Sequence, residues 1–176
     1  MTVPACTRRA VTAALAAGLV AGIAACAPPP PPPPTQVQLT LMADGGINPD
    51  PSGRASPAQI HVYWLRGSQD FQNADFFALT GQPSAALGPE LAQHEVVTLR
   101  PMQQQTVMKS PDPGVTHVGV VTAYRSLDGV NWRAVGGFPP NQTTGFNVML
   151  GANGVTMGLQ GPSAAAPGPA PAMAAR

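Results

Sequence analysis

QVQLTLMADGGINPDPSGRASPAQIHVYWLRG, residues 36–67, changes character twice. In 36–43, Val37, Leu39 and Leu41 alternate with Gln36, Gln38 and Thr40. A period of two with one apolar side predicts a strand resting on a core. Residues 44–57 then carry three glycines, three prolines and Asp44, Asn48 and Asp50. That composition makes a loop, and a long one where two to about five residues usually join paired strands. QIHVYWLRG (59–67) is apolar on both sides, as a central strand would be.

Downstream the period changes. In SQDFQNADFFALTGQP (68–83), Phe71, Ala74, Phe77 and Ala78 fall at helical spacing, with Ser68 or Asp70 to cap the start and Gly81 and Pro83 to end it. Adjacent Phe76 and Phe77 are expected to widen the face packed on the sheet, and AALGPELAQ (85–93) to add a further turn. Strand chemistry returns in EVVTLRP, QQTVMKS and HVGVVTAYRS, and a turn at Asp128-Gly129 leads into NWRAV. FNVMLGANGVTMGL (146–159) is two strands about Asn153-Gly154, a strong hairpin signal. The sum is an all-β, antiparallel two-sheet sandwich of about eight strands, with one α-helix inserted after the second.

Upstream, Arg8 and Arg9 precede a small, apolar, uncharged run from Ala10 to Ala25. This is the pattern of a secretory signal peptide, and the run is shorter than the roughly 20 residues of a membrane span. The run ends in IAAC (23–26), which resembles the lipobox of bacterial lipoproteins. That resemblance implies cleavage before Cys26 and a covalent lipid on its thiol; Ala27, rather than aspartate, favours the outer membrane. Pro28–Pro34 form a polyproline run suited to a stiff spacer between lipid and domain. The expected organisation is signal peptide 1–25, lipidated cysteine and tether 26–35, β-sandwich 36–160, and a disordered Pro/Ala tail 161–176.

Loss of residues 1–25 removes two of nine basic residues and none of eight acidic ones, leaving a net charge of −1 with histidines neutral. Without a basic stripe, nucleic acid is not an expected partner. Cys26 becomes the only cysteine, so no intramolecular disulfide can form. His61, His94 and His117 are far apart in sequence, with no pair at helical ligand spacing, and no metal or cofactor site is expected. No candidate base and nucleophile fall together, so no enzyme is expected. Tyr124-Arg125-Ser126 resembles part of the tail of transthyretin-like hydroxyisourate hydrolases, but lies inside the chain, where Tyr124 is expected to cover the sandwich edge.

Six segments, INPDPSGRASP, IHVYWLRG, FQNADFFAL, LGPEL, LRP and HVGVVTAYRSLDGVNWR, resemble in order and spacing the outer-membrane lipoproteins of the type VI secretion system. This is the TssJ family, also called SciN or VasD. The glycine that often follows the LRP proline there is Met102 here. The resemblance implies a transthyretin-like sandwich with an added helix and an extended first loop. It implies a lipid-anchored protein on the periplasmic face of the outer membrane that anchors the trans-envelope complex. It also implies that the first loop binds the periplasmic domain of the inner-membrane TssM component; Asn48, Pro49, Asp50 and Gly53 are the candidate contacts. The other reading is a periplasmic carrier holding a small apolar ligand between its sheets, lined by Trp64, Phe76, Phe77 and Trp132.

Overall fold

The computed structural model describes residues 31–160; the expected signal peptide, Cys26 and the Pro/Ala tail lie outside them. Eight strands follow the chain: β1 (Gln36–Ala43), β2 (Ala58–Leu65), β3 (Leu91–Leu99), β4 (Gln104–Lys109), β5 (His117–Ala123), β6 (Arg133–Gly137), β7 (Thr143–Gly151) and β8 (Gly154–Leu159). They form two four-stranded sheets ordered β4-β1-β7-β8 and β3-β2-β5-β6. The expected two-sheet sandwich is present, and a transthyretin-like arrangement is compatible with it. One pairing departs from the antiparallel expectation, because β1 and β7 run parallel from Gln36↔Thr143 to Ala43↔Leu150. Hairpin logic constrains only strands adjacent in sequence, and the whole second sheet intervenes between these two.

Alternation sorts each strand's side chains. Val37, Leu39 and Leu41 of β1 meet Ile60, Val62 and Trp64 of β2 in the core between the sheets. The opposite face of β2 buries Tyr63 and Leu65 beneath a helical layer with Phe71, Leu79 and Leu87. Burial on both faces is what the near-continuous apolar run of β2 predicted.

The helical layer differs from the single expected helix. It consists of α1 (Gln69–Asn73), α2 (Phe76–Gly81), α3 (Pro83–Leu87) and a 3-10 turn at Gly88–Glu90. Extended backbone at Ala74 and Asp75 breaks the first from the second, and the Asp75 carboxylate accepts the Ala78 N–H at 2.9 Å to start α2. The break resets the helical phase, so Leu79 is buried and Phe77 stands 75% exposed. Ser68 does not cap α1 with its side chain. The Glu90 carboxylate does so from below, accepting the N–H groups of Asp70 at 2.9 Å and Phe71 at 3.2 Å.

Among the described residues no helix is long and apolar enough to cross a membrane. Trp64 lies between the sheets and Phe76 in the helical layer, while Phe77 faces outward. Trp132 packs against both clusters and meets the Phe76 ring edge-on at 5.5 Å, so the four aromatics suggested for a ligand cavity are divided among the two cores and the surface rather than gathered between the sheets. Tyr124, just past the end of β5, packs into the inter-sheet core, where desolvation, and then the Asp44 carboxylate, push its hydroxyl pKa up to about 12.

Candidate functional site: the loop between the first two strands

The loop occupies 44–57, between the end of β1 and the start of β2. Its base is fixed to the sandwich. Asp44 N–H donates to Leu150 O at 2.9 Å, and Ile47 is fully buried in the inter-sheet core. Asn48 is only 5% exposed and adopts a positive φ of 48°, a conformation asparagine tolerates better than most residues. Its amide donates to Pro57 O at 2.8 Å, across the mouth of the loop, while its Oδ1 accepts the Arg125 N–H at 2.8 Å.

Beyond this base the tip projects. Pro49 and residues 51–54 are exposed. Asp50 organises them: its Oδ1 accepts the N–H groups of Ser52 and Arg54, both at 2.9 Å, and its Oδ2 takes the Arg54 guanidinium at 3.3 Å. Two backbone bonds, Asp50 N–H to Arg54 O and Gly53 N–H to Asp50 O, close the turn. Gly53 supplies the φ of +81° that this turn requires. The four candidate residues thus divide by position. Pro49 and Gly53 are on the surface, Asp50 shapes the tip from within, and Asn48 is buried in the base.

Two neighbours of this loop were absent from the sequence-based set. The β3–β4 turn is bonded to the loop base by Met102 N–H to Asp44 O at 3.3 Å and by Ala43 N–H to Gln103 O at 2.9 Å. Met102 is 80% exposed. The β5–β6 connection joins through Arg125, and its Asn131 N–H reaches Asn153 O of the β7–β8 turn at 3.2 Å. All these connections lie at one end of the sandwich. Thr35 and Gln160 lie at the other, where Asn141 N–H donates to Thr35 Oγ1 at 2.8 Å and Gln160 N–H to Gly145 O at 2.8 Å.

The histidines, distant in sequence, are not all distant in space. His61 on β2 and His94 on β3 sit diagonally across the strand pair, with Nδ1 of the first 3.1 Å from Nε2 of the second. The ring centres are 5.2 Å apart with a 17° angle between planes. The difference between 5.2 and 3.1 Å is what two ring radii account for, so the nitrogens lie nearly on the line between centres. This is an in-plane N–H···N bond, with lone pairs that do not converge on an external point as metal ligands would. Burial lowers both pKa values; the neighbouring imidazole lowers that of His61 further, and the Glu95 carboxylate partly offsets the shift of His94. No cluster of three metal-ligating side chains occurs among the described residues.

Comparison with known proteins agrees with this architecture. Residues 35–153 match the family model described as Type VI secretion lipoprotein, VasD, EvfM, TssJ. The crystal structure of the type VI lipoprotein TssJ1 from Pseudomonas aeruginosa is 33% identical, with a TM-score of 0.71 over 73% of this chain and 98% of that one. Serratia marcescens Lip, a membrane-bound component of the same kind of system, is 25% identical, with a TM-score of 0.66 over 72% of this chain and 98% of that one. A chain in the structure described as the type VI protein TssM C-terminal domain from EAEC shares the fold at 22% identity, with a TM-score of 0.58 over 70% of this chain and 99% of that one. A search of curated proteins finds no match. With the family pattern running from Thr35 through the hairpin turn at Asn153, this chain belongs to the type VI secretion lipoprotein family.

Proposed function

We propose that this protein anchors the trans-envelope complex of a type VI secretion system to the outer membrane. In this reading a lipid on Cys26 holds it to the periplasmic leaflet, and the 44–57 loop binds the periplasmic domain of the inner-membrane TssM component. The observation that carries the proposal is the separation of the two ends. The chain leading back to Cys26 enters at Thr35, and the loop leaves the far end of β1, eight residues on. At about 3.3 Å per residue the strand alone separates them by roughly 26 Å. A domain tethered at one end presents the other to the periplasm. The shared fold of a chain in the TssM C-terminal domain structure supports the same pairing.

The loop suits docking because its conformation is largely set beforehand. Asp50 fixes the tip through five hydrogen bonds: its carboxylate accepts two backbone N–H groups and the Arg54 guanidinium, its N–H donates to Arg54 O, and its carbonyl accepts the Gly53 N–H. A preset loop loses less conformational entropy on binding. The test replaces residues 49–54 by a tight two-residue turn while keeping buried Ile47, Asn48 and Ser56. Circular dichroism and melting should stay near wild type, and calorimetric binding to a purified TssM periplasmic domain should disappear. Binding retained by the folded variant would move the recognition surface elsewhere on the sandwich.

A further inference from the structure

The β3–β4 turn beside the loop carries an unusual residue. Arg100–Gln103 closes with Gln103 N–H to Arg100 O at 3.1 Å, and the Gln103 side chain accepts the Arg100 N–H at 3.0 Å. Pro101 occupies the second position and Met102 the third, with φ +63°. A four-residue turn with proline second and positive φ third follows the type II pattern, where the third position favours glycine or asparagine. Three residues other than glycine have positive φ among those described, and the other two, Asn48 and Asn141, are asparagines. A left-handed methionine is strained, and burial does not repay it, since the side chain is 80% exposed. Strain kept at an exposed position points to use of the side chain outside the folded domain.

The surroundings define that use. Pro57, Thr98, Arg100, Pro101, Met102 and Gln103 line an open cleft of about 780 Å³ between the turn and the foot of the loop. Arg100 is its one charged residue and makes no ion pair among the described residues. The Met102 thioether passes close over Gly45, where an added Cβ would lie 3.3 Å from the sulfur. The cleft is therefore continuous with the loop base, apolar on its methionine and proline wall, and positive at one rim.

We propose that Met102 and Arg100 form the second half of the partner surface, with Met102 as an apolar anchor and Arg100 as the pairing cation. The occupant is a segment of the same periplasmic partner that the loop engages, presenting an apolar side chain beside a carboxylate. Continuity with the loop base fixes the partner, and the lone unpaired guanidinium fixes the sign of its charge. This inference rests on the loop reading of the proposed function and extends it to the specificity of the contact. Methionine suits such a wall because its flexible, polarizable thioether adapts to an irregular apolar partner.

Calorimetry with the purified TssM periplasmic domain tests it on four variants. Met102→Gly and Met102→Asn both relieve the positive φ, so each should melt at or above the wild-type temperature while binding about tenfold more weakly. Arg100→Glu should weaken binding further and reverse its response to added salt. The 49–54 loop replacement, measured alongside, reports on the loop itself. If that replacement abolishes binding while both Met102 variants bind within twofold of wild type, the Met102 anchor is wrong and the loop reading stands. If the loop replacement binds normally, the loop reading fails independently. Wild-type affinity and salt dependence in Arg100→Glu would overturn the charge assignment.

Discussion

The Arg125 N–H donates to Oδ1 of Asn48 at 2.8 Å, joining the first long loop to a connection 77 residues later. The same side chain donates to Pro57 O, so one amide closes the loop and ties it to the second sheet. Asn48→Ala removes both bonds and leaves an alanine at φ +48°. We expect a loss of about 1–3 kcal/mol in urea unfolding. Asn48→Asp, which keeps an acceptor for Arg125 but loses the donor to Pro57, should fall between alanine and wild type. An alanine variant as stable as wild type would show that the staple contributes nothing.

The sheet interior contains a second close relationship. Gly119 of β5 faces Phe71 of α1, and a Cβ built there would lie 2.6 Å from the phenylalanine ring. Phe71 is itself fully buried between helix and sheet. Gly119→Ala should therefore destabilise by about 1–3 kcal/mol through overpacking. Gly119→Ala combined with Phe71→Leu should recover part of that loss, because the clash is with the ring. Thermal melts of the single and double variants measure this coupling; simple additivity would contradict it.

These cases show what local pattern could and could not reveal. Strand identities were legible because alternation at Val37, Leu39 and Leu41 is a local signal, as is the turn at Asn153-Gly154. Periodicity hides the break at Ala74-Asp75, because Phe71, Ala74 and Phe77 match helical spacing across it; Asp75, an N-cap residue type, is its one local sign. Glu90 as the cap of α1 and β7 as the parallel neighbour of β1 are long-range relations with no local trace. The loop was visible by its length, but the inward position of Asn48 depends on Arg125 and could not be read from neighbouring residues. Met102 was noticeable only as a departure from a glycine, and its positive φ supplies the physical reason that glycine suits the position.

The histidine pair gives the domain a pH dependence. His61 and His94 share one N–H···N bond, and His94 lies near-parallel to Tyr63 with 4.7 Å between ring centres. Tyr63 in turn donates to Leu79 O at 3.0 Å, holding α2 on the sheet. Both histidines have pKa values below 6.5 in the fold, chiefly from burial, with the neighbouring imidazole opposing charge on His61 and Glu95 favouring it on His94. The unfolded chain therefore binds more protons below about pH 6.5, and stability must fall as pH drops through that value. A second proton would place two N–H groups face to face and break the pair. Melting temperature followed from about pH 8 to about pH 5 should decline, and His94→Phe, which keeps a ring on Tyr63 but cannot titrate, should flatten the decline. An equal slope in wild type and variant would remove the pair from the account.

The separation of tether and loop predicts that attachment and recognition can be uncoupled. Thr35 marks the point where the chain leads back to Cys26, at the end of β1 opposite the loop. With seven basic and eight acidic residues beyond position 25, and the ion pairs Asp50–Arg54 and Glu95–Lys109 among the described residues, the near-neutral domain has little independent attraction to an anionic membrane. Cys26→Ser should abolish incorporation of labelled palmitate and move the protein from the membrane to the soluble periplasmic fraction. Stable anchoring takes more than one acyl chain, and the serine variant would carry none. The released domain should still bind the TssM periplasmic domain with wild-type affinity in calorimetry, because the loop, Met102 and Arg100 lie at the other end. If the proposed anchoring holds, secretion in cells should nevertheless fail, because the assembly would be without its outer-membrane tether. Continued membrane retention of the serine variant would assign anchoring to another part of the chain, and weakened binding by the released domain would mean that the two ends are not independent.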